Sequence, residues 1–166
     1  NLRTLVAAYA RLPVSLRVQM PLCIVGGHGW GNLELPPQSR QLQSDGSIRF
    51  LGYASDAQLR DLYAGARIVL YPSLYEGFGM PVIEAMACGA PVAASTTSSR
   101  PEGVGKVGRL IHPLDVDAWT AELFCAATDI GYGNEHTNAA RRAHALSFTW
   151  QRAAGQTIRM YQAIAK

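Results

Sequence analysis

The sequence predicts an α/β fold in which a parallel sheet carries helices on both faces. Three observations predict it. Short apolar runs recur at residues 22–25, 48–51, 68–71 and 92–94; segments with helical apolar spacing separate them; and turns marked by glycine or proline join the two. Strands that alternate with helices pair in parallel and are covered on both sides.

The chain opens on a helix, because Leu2, Leu5, Val6 and Tyr9 fall at i, i+3, i+4 and i+7 before Pro13 stops the run. Residues 22–25 read as a buried strand that leaves through Gly26, Gly27, His28 and Gly29. Residues 30–46 are polar, contain Pro36 and Pro37, and predict no clear element. A second strand covers 48–51, and Ser55 with Gln58 forms a capping box for a helix over 56–66. The third strand, 68–71, leads to a helix over 80–88 with Pro81 in its first turn and Gly89 just past its end.

Residues 92–94 form a fourth strand and 107–111 a fifth, after which Asp115 caps a helix that presents Trp119, Leu123 and Ala126. Two more helices are expected over 134–146 and 149–165, the second with Ile158, Tyr161 and Ile164 on one side. A parallel sheet is built from right-handed strand–helix–strand units, and a helix in first place lacks the strand that should feed it. The expectation is therefore one Rossmann-like domain over 1–166 that starts inside a larger protein and lacks its first strand.

Composition narrows the function. At 166 residues, 48% hydrophobic and 16% charged, the chain suits one globular domain. No apolar run approaches the ~20 residues that span a bilayer. No basic-then-apolar segment opens the sequence, so a cytoplasmic location is expected. Fifteen Lys and Arg against twelve Asp and Glu give a net charge of +3, compatible with anionic substrates or a membrane surface but too small for nucleic-acid binding. Cys23, Cys88 and Cys125 lack metal-ligand spacing and are expected to be buried, reduced thiols.

The chemistry concentrates in 71–95, YPSLYEGFGMPVIEAMACGAPVAAS, where Glu76 and Glu84 are separated by seven residues that include the turn Gly77, Phe78, Gly79. A helix N-terminus offers unpaired N–H groups to phosphate, and the glycines let backbone approach a ligand closely. Two carboxylates beside such a turn suit the hydroxyls of a nucleotide sugar. The same spacing also allows Glu84 simply to complement the helix dipole and Glu76 to be a solvated loop residue.

The stretch resembles the E-x7-E signature of the retaining group 1 glycosyltransferases, family 4, with the GT-B fold. LCIVGGHGW, IRFLGYASDAQLRDLYAGARIVLYPS, SSRPEGVGKVGRLIHPLDVDAW and SFTWQRAAGQTIRMYQAI are similar to that family's other blocks, in the same order. The resemblance implies the C-terminal, donor-binding half of such an enzyme. Glu76 is then the catalytic-site residue that clamps the hydroxyls of the transferred sugar, without acting as a nucleophile. Gly77, Phe78, Gly79 and Met80 present backbone groups to sugar and diphosphate, Glu84 binds the ribose, Ile48 and its strand approach the base, and Gly27 with His28 plays a supporting part.

A basic pair that neutralises the diphosphate is expected just ahead of Asn1. The expected partners are a nucleotide-diphosphate sugar as donor substrate, with no separate cofactor, and an N-terminal acceptor-binding domain of the same protein that also meets the membrane. The GGHGW turn and SSRPE loop are similar to mannosyltransferase-like members, which makes GDP-mannose the first expected donor. The alternatives are a non-catalytic nucleotide-sugar-binding module, or another GT-B enzyme such as a sugar-nucleotide epimerase or a glucan synthase.

Other signals have plainer readings. Asp115-Val116-Asp117 imitates a D-x-D metal motif but sits where a helix cap is needed, so no metal is expected. His112, His136 and His144 share no ligand spacing and are expected at the surface, Arg100, Lys106 and Arg109 as solvated charge, and Trp30 in packing.

Overall fold

The computed structural model describes residues 1–27, 35–132 and 135–165. Helices α1 (Leu2–Ala10) and α2 (Val14–Gln19) precede strand β1 (Leu22–Val25). Then come α3 (Ser39–Ser44), β2 (Ile48–Gly52), α4 (Asp56–Gly65), β3 (Val69–Tyr71), α5 (Met80–Ala87) and β4 (Val92–Ser95). The chain continues through α6 (Arg100–Val104), β5 (Arg109–Ile111), α7 (Val116–Thr128), α8 (Glu135–Leu146) and α9 (Trp150–Ile164).

Every strand pairing among the described residues is parallel, as expected for this alternation. The strands nevertheless form two sheets, β1-β2 and β3-β4-β5, where one was expected. β4 is central in the larger sheet, and all four of its residues are buried. Alternation along it sends Val92 and Ala94 to one face and Ala93 to the other.

The two sheets share a core. Leu5, Val6, Ala8 and Tyr9 of α1 pack in one cluster with Leu22 of β1, Ile48 of β2, Ala93 of β4, Ile111 of β5 and Trp119 of α7. The helix thus covers both sheets, while β1 and β3, each at an edge of its own sheet, are not joined by a described strand. On the opposite face Val82, Ile83, Ala85 and Met86 of α5 pack with Val92, Ala94, Val104 and Ala145.

Local signals explain most boundaries. Both halves of the Ser55–Gln58 capping box form, Asp115 Oδ1 accepts from Ala118 N at 2.9 Å, and Thr149 caps α9. The short helices α2, α3 and α6 were not expected, because five or six residues carry too little periodicity to register. The cysteines are free, but Cys23 and Cys125 are exposed and Cys88 only half-buried, so the expectation of buried thiols is corrected. Cys23 alternates with the buried Leu22 along β1 and so faces outward. No helix among the described residues is long and apolar enough to cross a membrane.

Candidate functional site

In a parallel sheet the loops that leave the strand ends gather along one edge, where such folds hold ligands. Here that edge carries Gly27 after β1, Tyr53 after β2, the segment 72–79 after β3, and Thr96 to Ser99 after β4. Gly77, Phe78, Gly79 and Met80 are therefore brought together with Glu76. Gly79 takes φ +86° as the residue that starts α5, a conformation glycine adopts without steric cost.

Glu76 is half-buried, and its Oε1 accepts from Tyr71 Oη at 3.0 Å. Glu84, one turn into α5, is exposed and lies beside Tyr63 of α4. Burial first, and then the charge of Glu84 and the neighbouring Tyr71, pushes the Tyr63 phenol up to about 12. Each carboxylate thus has a tyrosine partner, and the two tyrosines are neighbours.

The backbone of the Glu76 loop is held from outside. Asn1 Nδ2 donates to Pro72 O at 3.0 Å and to Pro113 O at 2.7 Å. Ser95 Oγ donates to Ser73 O at 2.5 Å and Thr97 Oγ1 to Leu74 O at 2.8 Å. Ser98 Oγ donates to Glu76 O and Ser99 Oγ to Gly77 O. In a trans peptide the N–H points opposite to its C=O, so the amides of Leu74, Tyr75, Gly77 and Phe78 face away from the 95–99 segment. Among the described residues none of these four N–H groups has a hydrogen-bond acceptor.

The α5 N-terminus adds less than expected. Pro81 has no N–H, and Val82 N donates back to Gly79 O at 3.0 Å, which leaves Met80 N–H as the free donor among its first three residues. The amides without an acceptor are therefore mainly in the loop. N–H groups of this kind can donate to an anion, and a carboxylate can accept from a hydroxyl.

Two other expectations change. Ile48 starts β2, 3% exposed in the shared core, at the end of its strand away from the ligand edge, so contact with a base does not fit it. Phe50, Leu51 and Tyr53 are the exposed apolar residues toward the other end. His144 is half-buried rather than at the surface: its Nε2 meets Gly103 O at 2.8 Å and its ring lies edge-on to Phe148. His112 is exposed, and Arg109 lies 3.7 Å from Glu122. His28, Trp30 and the side chains of Arg100 and His136 lie outside the described residues. An open cleft of about 510 Å³ around Arg3, Pro36 and Arg40, between α1 and α3, contains none of the Glu76 loop.

Sequence reasoning missed Asn1, Tyr63, Tyr71 and the hydroxyls of 95–99 as parts of this site. The five consecutive hydroxyl residues Ser95, Thr96, Thr97, Ser98 and Ser99 were the available signal, since the loops of adjacent parallel strands must meet.

These features define a parallel α/β protein whose candidate site combines loop amides with two carboxylates, each beside a tyrosine. The family follows: the chain belongs to the glycosyl transferases group 1, whose model matches residues 1–141. It is 41% identical over 162 residues to O-antigen chain mannosyltransferase B of Escherichia coli, covering 98% of this chain and 42% of that protein. It is 41% identical over 111 residues to MMP alpha-(1->4)-mannosyltransferase of Mycolicibacterium hassiacum, covering 65% of this chain and 27% of that one. Among solved structures, Anabaena HepE in complex with UDP and glucose has a TM-score of 0.75 and 24% identity, with 96% of this chain and 44% of that chain covered; that likeness is one of fold. The chain spans less than half the length of these proteins.

Proposed function

We propose that these residues are the donor half of a retaining glycosyltransferase that moves mannose from GDP-mannose to a glycan or lipid-linked acceptor. The observation that carries the reading is Glu76, held by Tyr71, beside loop amides that have no acceptor among the described residues: an acceptor for sugar hydroxyls next to donors for phosphate. The mannosyltransferase relatives support the choice of sugar.

In this reading the leaving diphosphate gathers negative charge, and preorganised amides of Gly77, Phe78 and Met80 stabilise it without reorganising. Glu76 fixes the sugar and favours the positive charge that grows at its anomeric carbon. Glu84 binds the ribose. Acceptor recognition and the membrane-facing surface belong to an N-terminal domain of the same protein, and the reaction is cytoplasmic. A parallel strand ahead of Asn1 completes the sheet between β1 and β3; the two sheets under one helix support this.

A UDP-sugar donor is the second reading, favoured by the structural neighbour that holds UDP and glucose. Calorimetry of the full-length protein with GDP-mannose, UDP-glucose, GDP and UDP separates the two. Glu84→Ala is expected to weaken nucleotide binding about tenfold, the value of one charged hydrogen bond. Glu76→Ala is expected to reduce transfer far more than nucleotide affinity. Equal losses of both quantities in both variants refute the division of roles.

A further inference from the structure

The segment Thr96 to Ser99 holds the backbone of the loop that carries Glu76. Of the six carbonyls from Pro72 to Gly77, five accept a side-chain donor from another part of the chain: Asn1, Ser95, Thr97, Ser98 and Ser99. Four of these donors come from one stretch, the end of β4 and the turn after it. Backbone carbonyls at an exposed edge have water as a ready partner. Their engagement by consecutive hydroxyls fixes peptide orientation, which water does not.

A second observation is independent of the hydrogen bonds. Ser98 has φ +61°, the left-handed region, and among the described residues it is the one non-glycine residue there. Serine is strained in that conformation, and such strain persists where surrounding structure demands it. The strained turn lets Ser98 and Ser99 reach the neighbouring carbonyls of Glu76 and Gly77.

We infer that Ser98 and Ser99 are positioning residues for donor transfer, acting through the peptide planes on either side of Gly77. They turn the Gly77 and Phe78 amides toward the ligand side and set the origin of the Glu76 side chain. Part of this inference rests on the proposed donor site, namely that Glu76 and those amides meet the donor. The restraint of the loop itself stands on geometry alone.

The test uses the full-length protein with Ser98→Gly, which tolerates the left-handed backbone, combined with Ser99→Ala. Chymotryptic cleavage after Tyr75, which is 83% exposed, is followed by mass spectrometry, and kcat, donor KM and the Kd for free GDP and UDP are measured. The expected result is cleavage faster by about tenfold and kcat lower by about tenfold, with the nucleotide Kd within about twofold, because a loosened loop loses orientation before it loses affinity. Ser98→Gly combined with Ser99→Thr, which keeps one hydroxyl, is expected to recover much of kcat.

Unchanged cleavage overturns the restraint, whatever the donor. Faster cleavage with unchanged kcat, or equal losses in kcat and nucleotide affinity, overturns the positioning role. If Glu76→Ala leaves transfer intact while cleavage in the double variant is faster, the donor-site reading fails and the restraint survives.

Discussion

Tyr71 Oη donates to Glu76 Oε1 at 3.0 Å, and this bond joins the last residue of β3 to the loop it feeds. The Tyr71 side chain is partly buried and packs against the buried α5–β4 core, so the carboxylate is anchored to a rigid element rather than to its own loop. Tyr71→Phe leaves the packing and removes the donor. In the full-length enzyme it is expected to lower kcat by about tenfold, about 1.4 kcal/mol, with donor KM nearly unchanged. Steady-state kinetics check this; a rise in KM at constant kcat argues instead that the bond serves binding.

Tyr9 offers a pH dependence. Its hydroxyl lies within 2.9 to 3.2 Å of three carbonyl oxygens, those of Arg17, Met20 and Ser47, and it has one proton to share among them. Burial is the main reason that its pKa is pushed up to about 12. An acid whose folded pKa lies above the unfolded value of 10 contributes its stability below pH 10 and loses it as pH rises toward 12. The shift corresponds to about 2 to 3 kcal/mol. Chemical denaturation between pH 8 and 11.5 is expected to show a steep alkaline loss in the wild type and a shallower one in Tyr9→Phe. Parallel curves for the two proteins count against it.

Gly105 and Gly52 differ in what a side chain would meet. Both have positive φ, +58° and +67°. A Cβ at Gly52 meets open space, whereas one at Gly105 lies 2.5 Å from the His144 ring, which is itself tied to Gly103 O. Gly52→Ala is expected to cost about 1 kcal/mol, the backbone effect alone. Gly105→Ala adds displacement of His144 and, with ψ at −140°, a backbone conformation side chains resist more strongly, and is expected to cost at least about 2 kcal/mol. Thermal unfolding of both variants decides it, and equal costs mean that neither the Gly105 backbone nor His144 adds a penalty.

Much of the fold was legible because its signals are local. The caps at Ser55 and Asp115 and the apolar faces of α1 and α7 each depend on residues within two turns of one another. The split of the sheet was not legible as such, because strand order depends on which edges find partners. At the site, Glu76 and Glu84 were readable as a spaced pair. Their tyrosines were not, since Tyr71 ends a strand and Tyr63 lies on a different helix. The burial of Ile48 in the shared core was hidden for a related reason: an apolar strand run does not announce which of its ends is covered.

The far end of α5 provides the last expectation. Arg141 is 3% exposed and donates from Nε to Gly89 O at 3.0 Å, while the exposed Arg142 donates from Nη2 to Cys88 O at 3.3 Å. Two guanidinium groups of α8 therefore sit at the negative end of the helix whose other end forms the site. Burial lowers the Arg141 pKa, yet a guanidinium stays charged in a protein, so that cation depends on its carbonyl and on Asn138 for solvation. Arg141→Met keeps the apolar stem but leaves the buried Gly89 carbonyl without this donor, and is expected to destabilise by about 2 kcal/mol. Arg142→Met breaks a longer bond that water replaces, and is expected to cost under about 0.5 kcal/mol. Denaturant midpoints at constant m-value measure the difference. If Arg142→Met is as costly as Arg141→Met, net charge near α5 matters more than the buried hydrogen bond.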